Sequence, residues 1–169
     1  MGVVFRKILV PIDFSEPSKT ALHYARELAL QSGAELHLVH VGEDPMLLAG
    51  WPALAVDSAT EIGEEAAAIR EQLTQLLTTD DRARIKSGVH VIVGQPVGLA
   101  ISRFATEGEF ELIVIGTHGR GGLTHILMGS VAEQVVRSAP CPVLTIRHPT
   151  HRKAAVERLR ADAAKTDSR

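Results

Sequence analysis

The apolar positions along the chain change their spacing several times, and each change marks an element. ILVPID (8–13) is a short apolar run closed by a carboxylate, as a buried strand would be. From Ser15 to Gly33 the spacing becomes helical, with Leu22, Ala25, Leu28 and Ala29 on one face and Gly33 as the stop. ELHLVHV (35–41) predicts a second strand. Ser58 and Glu61 have capping-box spacing and open a helix whose Ile62, Ala66, Ile69, Leu73 and Leu76 face inward. VHVIVG (89–94) is a third strand, followed by a helix from about Pro96 with Leu99, Ala100 and Phe104 on its inner side. LIVIG (112–116), a helix from Ser130 and PVLTIR (142–147) complete the pattern.

Strand and helix thus alternate, which implies parallel strands joined by helical crossovers. The strands are continuously apolar, as strands buried on both faces are. The pattern predicts a single doubly wound α/β domain over residues 1–147, a five-stranded parallel sheet with helices on both faces. Two segments fall outside it. Residues 42–57 form a long connection carrying Met46, Leu47, Leu48, Trp51 and Leu54. It is too apolar for a plain solvent loop, and packing on its own domain, a dimer contact and a flap over a site all remain open. The tail, 148–169, holds six basic and three acidic residues with a weak helical pattern, so it reads as solvated rather than as a partner-binding arm.

Composition narrows the class. At 4% aromatic residues the core must be built from Val, Ile, Leu and Ala. A formal net charge of −2 gives no case for nucleic acid or a membrane surface as partner. Cys141 is the single cysteine, so no intrachain disulfide forms, and a cytoplasmic location is expected. No stretch approaches the ~20 apolar residues of a membrane span.

Candidate chemistry gathers at two strand ends. Open α/β sheets bind ligands beyond the carboxyl ends of their strands, where the strand order reverses. The first strand ends in Pro11-Ile12-Asp13, and the fourth runs into GTHGRGGLTHILMGS (116–130), which carries five of the fourteen glycines. If the chain winds outward from the first strand and back through the fourth, the two ends are neighbours. Glycines 116, 119, 121 and 122 allow positive φ and close approach of a ligand, and free N–H groups there suit an anion. The stretch leads to Gly129-Ser130 at a helix start, a second place for negative charge. Ser130 is placed to cap that helix, with Glu133 at capping-box spacing. Asp13 would repel phosphate, so it suits ribose hydroxyls or a metal, and a nucleotide spans both roles. The spacing matches neither GxGxxG nor GxxxxGK[ST], and a tight connection with no ligand competes with the nucleotide reading. Asp13, three residues before Glu16, also fits a plain helix cap.

Gly116-x-x-Gly119, nine residues, then Gly129-Ser130 resembles the G-2x-G-9x-G-(S/T) pattern of the universal stress protein family. KILVPIDFSEPSKTALHYARELA near the start and LIVIGTHGRGGLTHILMGSVAEQVVRSAPCPVLTIR near the end resemble it too, and the resemblance covers roughly residues 5–147. It implies strand order 3-2-1-4-5 and a homodimer paired through the last strand (142–147). Members with this glycine pattern bind ATP, with Mg²⁺ accompanying the nucleotide. Carried over by position, Asp13 contacts the ribose, Pro11 and Ile12 line the adenine side, and Val41 meets adenine through its backbone. Gly116, Gly119 and Arg120 shape the phosphate loop, and Gly129, Ser130, Val131 and Ala132 donate to the phosphates. Glu111 departs from the Asp that the family commonly has before the strand, outside the site.

Nothing in the sequence compels catalysis. Cys141, between Pro140 and Pro142, reads as packing. His118 and His125 lie in the glycine stretch, where they would touch phosphate, orient water or face solvent. His37 and His90 belong to adjacent strands, but two histidines without a third ligand make a poor metal site. The expectation is an ATP-binding protein of the stress response whose nucleotide sets conformation or partner affinity, with hydrolysis slow at most. A nucleotide-independent dimeric interaction module is the alternative.

Overall fold

In a computed structural model, residues 4–42, 58–117 and 128–147 are described, with 58–65 as backbone alone. The elements run β1 Lys7–Pro11, α1 Glu16–Ser32, β2 Glu35–Gly42, α2 Ser58–Leu76, α3 Thr79–Arg84, β3 Ser87–Val93, α4 Val97–Glu107, β4 Leu112–Gly116, α5 Ser130–Ser138 and β5 Val143–Ile146. All four recorded ladders are parallel and the sheet order is β3-β2-β1-β4-β5, the order the resemblance implies. Among the described residues, no helix is long and apolar enough to cross a membrane. The readings placed on Trp51, on 118–127 and on the 148–169 tail lie outside the described residues.

Strand alternation builds two cores, one on each face. Ile8 and Val10 of β1, Leu36 and Leu38 of β2 and Val114 of β4 pack with Ala21, Leu22 and Ala25 of α1 and Leu73 of α2. The intervening Leu9, Val39, Ile113 and Ile115 pack on the other face with Ile101 and Ala105 of α4 and Ala132 and Val135 of α5. Leu9, Ile8, Leu36, Leu38 and Ile113 are fully buried, each contributing roughly 1.5–3 kcal/mol relative to exposure. The helices therefore cover both faces.

Local chemistry sets the boundaries. Ser15 is the N-cap of α1, accepting from the Ser18 N–H, and Pro17 sits in the first turn. Gly33 ends α1 at φ +70°, a left-handed cap that glycine adopts without a Cβ clash. The short α3 was missed by periodicity because it has no apolar stripe. Its signal lay in Thr78-x-x-Asp81, which forms a capping box, and Asp81 also pairs at 2.8 Å with Arg26 of α1.

The expected inner face of α4 needs correction. Gly98, Ile101, Ser102 and Ala105 are buried, while Leu99 is 41% exposed. A Cβ on Gly98 would lie 2.7 Å from Gln134 Cβ of α5, and Ser102 Oγ meets Ser138 Oγ at 2.7 Å. Close approach of the two helices thus turns the small residues inward and Leu99 outward.

Candidate functional site

At the end of β1, Ile12 continues the sheet by donating its N–H to Val39 O at 2.8 Å, and its own carbonyl lies 2.7 Å from His40 Nδ1. The next residues turn sharply. Asp13 Oδ1 accepts from Ser15 N–H at 3.0 Å and from Ser15 Oγ at 2.5 Å, an Asx-turn two residues long. Phe14 between them has φ +64°, a left-handed conformation that costs a bulky residue about 1–2 kcal/mol. Its ring, 5.2 Å from His40 and packed on the first core, holds it there. Asp13 is thus no helix cap itself; it braces the residue that caps α1.

Burial pushes the Asp13 carboxyl up, but hydrogen bonds from the Ser15 and Ser18 side chains and from backbone pull harder, and the balance lies below 3.8. The carboxylate is therefore the resting form at neutral pH, able to accept from hydroxyls. Because the folded value is depressed, its stabilisation is present above about pH 3.9 and is lost as pH falls through the folded value.

The end of β4 supplies the second half. Thr117 continues the ladder by donating its N–H to Ile146 O at 2.9 Å, and its carbonyl accepts the Gly129 N–H at 2.6 Å. The residues bracketing the glycine-rich stretch are thereby tied together. Gly129 is the N-cap of α5 in an extended conformation, with no side-chain cap. Ser130, expected to cap, is instead the first helical residue. The α5 ladder starts with Glu133 N–H to Gly129 O at 2.9 Å, so the N–H groups of Ser130, Val131 and Ala132 precede it. Ser130 and Val131 are exposed and Ala132 is buried, so this helix start faces outward at its first turn.

The two halves meet. β1 and β4 are sheet neighbours, but their recorded register stops at Leu9–Ile113, whereas β1 pairs β2 as far as Pro11–Val39 and β4 pairs β5 as far as Gly116–Ile146. The carboxyl ends of β1 and β4 thus part at the point where the strand order reverses, the usual crevice of such sheets. Gly116 bridges them in an unexpected way. A Cβ there would lie 2.8 Å from the carbonyl carbon and oxygen of Pro17, so its missing side chain admits the first turn of α1. Its φ is not left-handed: among the described glycines only Gly33 is. The expected positive φ is thus absent at Gly116, which packs closely against the first turn of α1.

Of the expected site residues, Pro11, Ile12, Asp13, Gly116, Gly129, Ser130, Val131 and Ala132 come together at this end of the sheet. Val41 lies at the end of β2, opposite Ile92 and against the second core. His118, Gly119 and Arg120 lie outside the described residues. Phe14, His40, Ser15 and Thr117 were not singled out from sequence. Asp13-x-Ser15 spacing signals the Asx-turn, but nothing in sequence announces a left-handed Phe14. Cys141 is half-buried and burial pushes its thiol up from 9.0, away from the thiolate form. Among the described residues no group of three or more metal-binding side chains gathers.

Comparison with known proteins agrees with this architecture. The sequence profile of the universal stress protein family matches residues 5–147. The universal stress protein MJ0531 of Methanocaldococcus jannaschii is 33% identical over 151 residues, covering 86% of this chain and 84% of that protein. The solved universal stress protein UspA from Lactobacillus plantarum is 26% identical, with a TM-score of 0.70 over 86% of this chain and 100% of its own. A universal stress protein solved in complex with cAMP shares the fold, at 22% identity and a TM-score of 0.60 over 86% of this chain and 98% of its own. By a profile match spanning the whole sheet and a relative of this identity, the chain belongs to the universal stress protein family.

Proposed function

We propose that the crevice between β1 and β4 binds ATP, and that the nucleotide sets the protein's conformation or its affinity for a partner. The observation that carries this reading is the convergence of a carboxylate and an uncapped helix start across one crevice. Asp13 accepts from the ribose hydroxyls, Pro11, Ile12 and the backbone of Val41 line the adenine, and the α5 N–H groups of Ser130, Val131 and Ala132 donate to phosphate. Gly116 seats α1, Gly129 starts α5, and His118, Gly119 and Arg120 of the connecting stretch are assigned to phosphate binding. The residues fit a nucleotide because its two ends need opposite partners, an acceptor for hydroxyls and donors for phosphate oxygens. Mg²⁺ arrives with the nucleotide and neutralises its charge. Hydrolysis is slow at most, and the nucleotide acts chiefly by being bound.

Asp13→Ala tests the reading. Losing hydrogen bonds to a charged acceptor costs about 1.5–3 kcal/mol, so ATP affinity in calorimetry should fall roughly 10- to 150-fold. Unchanged ATP affinity in folded Asp13→Ala protein would overturn the assignment of the ribose to this residue.

The protein acts in the cytoplasm, in keeping with its single cysteine. It pairs as a homodimer through residues 142–147. β5 is an edge strand, and Leu144 on it is 38% exposed, with Val136 of α5 also exposed at 48%. Leu144→Lys should convert the dimer to a monomer in light scattering after size exclusion; a persistent dimer would place the interface elsewhere.

A further inference from the structure

His37 of β2 and His90 of β3 lie on the face of the sheet covered by α4, with His90 level with Val39 and Pro11 in the ladder. Their rings lie edge to edge and nearly coplanar, with centroids 5.2 Å apart and 17° between planes, and His37 Nδ1 lies 2.9 Å from His90 Nε2. On its other side, His37 Nε2 lies 3.1 Å from Glu35 Oε2, and Lys86 Nζ holds the other oxygen of the same carboxylate at 2.5 Å. Gly88, opposite His37 in the ladder, makes room for the pair: a Cβ there would sit 2.7 Å from His37 Nδ1 and 3.2 Å from His90 Nε2. Phe110 and Phe104 wall the slot, at 5.2 Å from His37 and 5.0 Å from His90.

The partners dictate the protons. A carboxylate only accepts, so His37 donates through Nε2–H and offers Nδ1 as an acceptor, and His90 donates to it through Nε2–H. With both rings neutral, each link has one donor and one acceptor. One added proton places a charge in an aromatic-lined slot. A second sets two N–H donors face to face at 2.9 Å, and the link fails.

We infer that the His37–His90 link is an acid-sensitive latch on edge strand β3, closed while both rings are neutral and released as they take up protons. β3 is the strand such a latch can control, because in the sheet order it pairs only with β2. The charges around the latch favour its neutral form. Among the described residues Glu35 of β2 is the one carboxylate on it, against Lys7 of β1, Lys86 before β3 and Arg70 of α2. α4 and the connection after it contribute only the uncharged Phe104 and Phe110. Burial, first of all, lowers both histidines from 6.5; at His37 the bond to Glu35 opposes it while Lys7 and Lys86 add to it, and the neighbouring His37, Lys7 and Arg70 add to it at His90.

The sign follows from proton linkage. A histidine with a depressed folded value stabilises the fold above its unfolded value, near 6.5, and that contribution is lost as pH falls through the folded value. Within that window the fraction of opened β3 rises by up to about tenfold per proton for each pH unit. The inference stands independently of nucleotide binding.

The test is amide hydrogen exchange on the full chain without nucleotide, corrected for intrinsic rates, at about pH 7.5 and about pH 5.5. Protection in β3 should fall at least about tenfold relative to β1 and β4 in wild type, and by less than about threefold in His90→Gln, whose amide still donates to His37. Equal losses in wild type and variant, or no selective loss in wild type, would overturn the latch. Should His90→Gln fail to fold, the imidazole resonances of wild type decide. Both rings titrating below 6.5 together with shifts of the β3 amides supports it; either ring titrating at or above 6.5, or β3 amides that do not follow, overturns it.

Discussion

Ser130→Asp will leave the protein folded, slightly more stable if anything, while ATP affinity falls about thirtyfold or more. The two effects have opposite signs because one place serves two roles. Ser130 is the exposed first residue of α5, and no side chain caps that helix. A carboxylate in the first turn of a helix interacts favourably with its dipole, by about 0.3–1 kcal/mol. The same carboxylate occupies the position the account gives to phosphate. Two like charges about 4 Å apart repel by ~4 kcal/mol at an effective dielectric of ~20, and screening by salt and Mg²⁺ still leaves about 2 kcal/mol, near thirtyfold. Urea unfolding and ATP calorimetry on one preparation separate the effects. Wild-type affinity in Ser130→Asp would show that phosphate does not sit at the start of α5.

Gly116→Ala should destabilise the protein by about 1–3 kcal/mol, measured as a lower urea midpoint with unchanged slope. The added methyl meets the Pro17 backbone at 2.8 Å rather than the end of a flexible side chain, so relief requires α1 to move. α1 is seated by Ala21, Leu22, Ala25 and Ala29, all buried, and resists that shift. Its first turn also follows directly on Ser15, which braces Asp13, so ATP binding should weaken along with stability. A midpoint equal to wild type would mean that α1 yields freely, and the packing role of Gly116 would fall.

Most of the sheet was legible in the sequence because parallel strands are buried on both faces. Runs such as LIVIG have no other reading between turn signals, and β4 matches its expected limits of 112 and 116. The ends of the other strands moved by one or two residues, since their last hydrogen bonds depend on neighbours such as Val39 for Ile12. What sequence missed depended on tertiary contact. Leu99 is outside because Gly98 packs on Gln134, which no pattern within α4 announces. The packing role of Gly116 was not visible either, because the backbone it approaches is that of Pro17, 99 residues earlier in the chain. Ser130 has good capping chemistry in sequence, yet α5 starts one residue earlier than a Ser130 cap requires. The placing of His37 and His90 on adjacent strands was legible in sequence, but the link between them depends on the room left by Gly88.

The most direct test of nucleotide binding is made on freshly purified wild-type protein. Denaturing it and identifying any released nucleotide, then titrating nucleotide-free refolded protein with Mg²⁺–ATP by calorimetry, reads the central claim without a mutation. The account predicts adenine nucleotide in the released fraction or a saturable titration with one ATP per chain. No released nucleotide and no titration heat at two temperatures would contradict it, and the crevice between β1 and β4 would then be explained by packing alone.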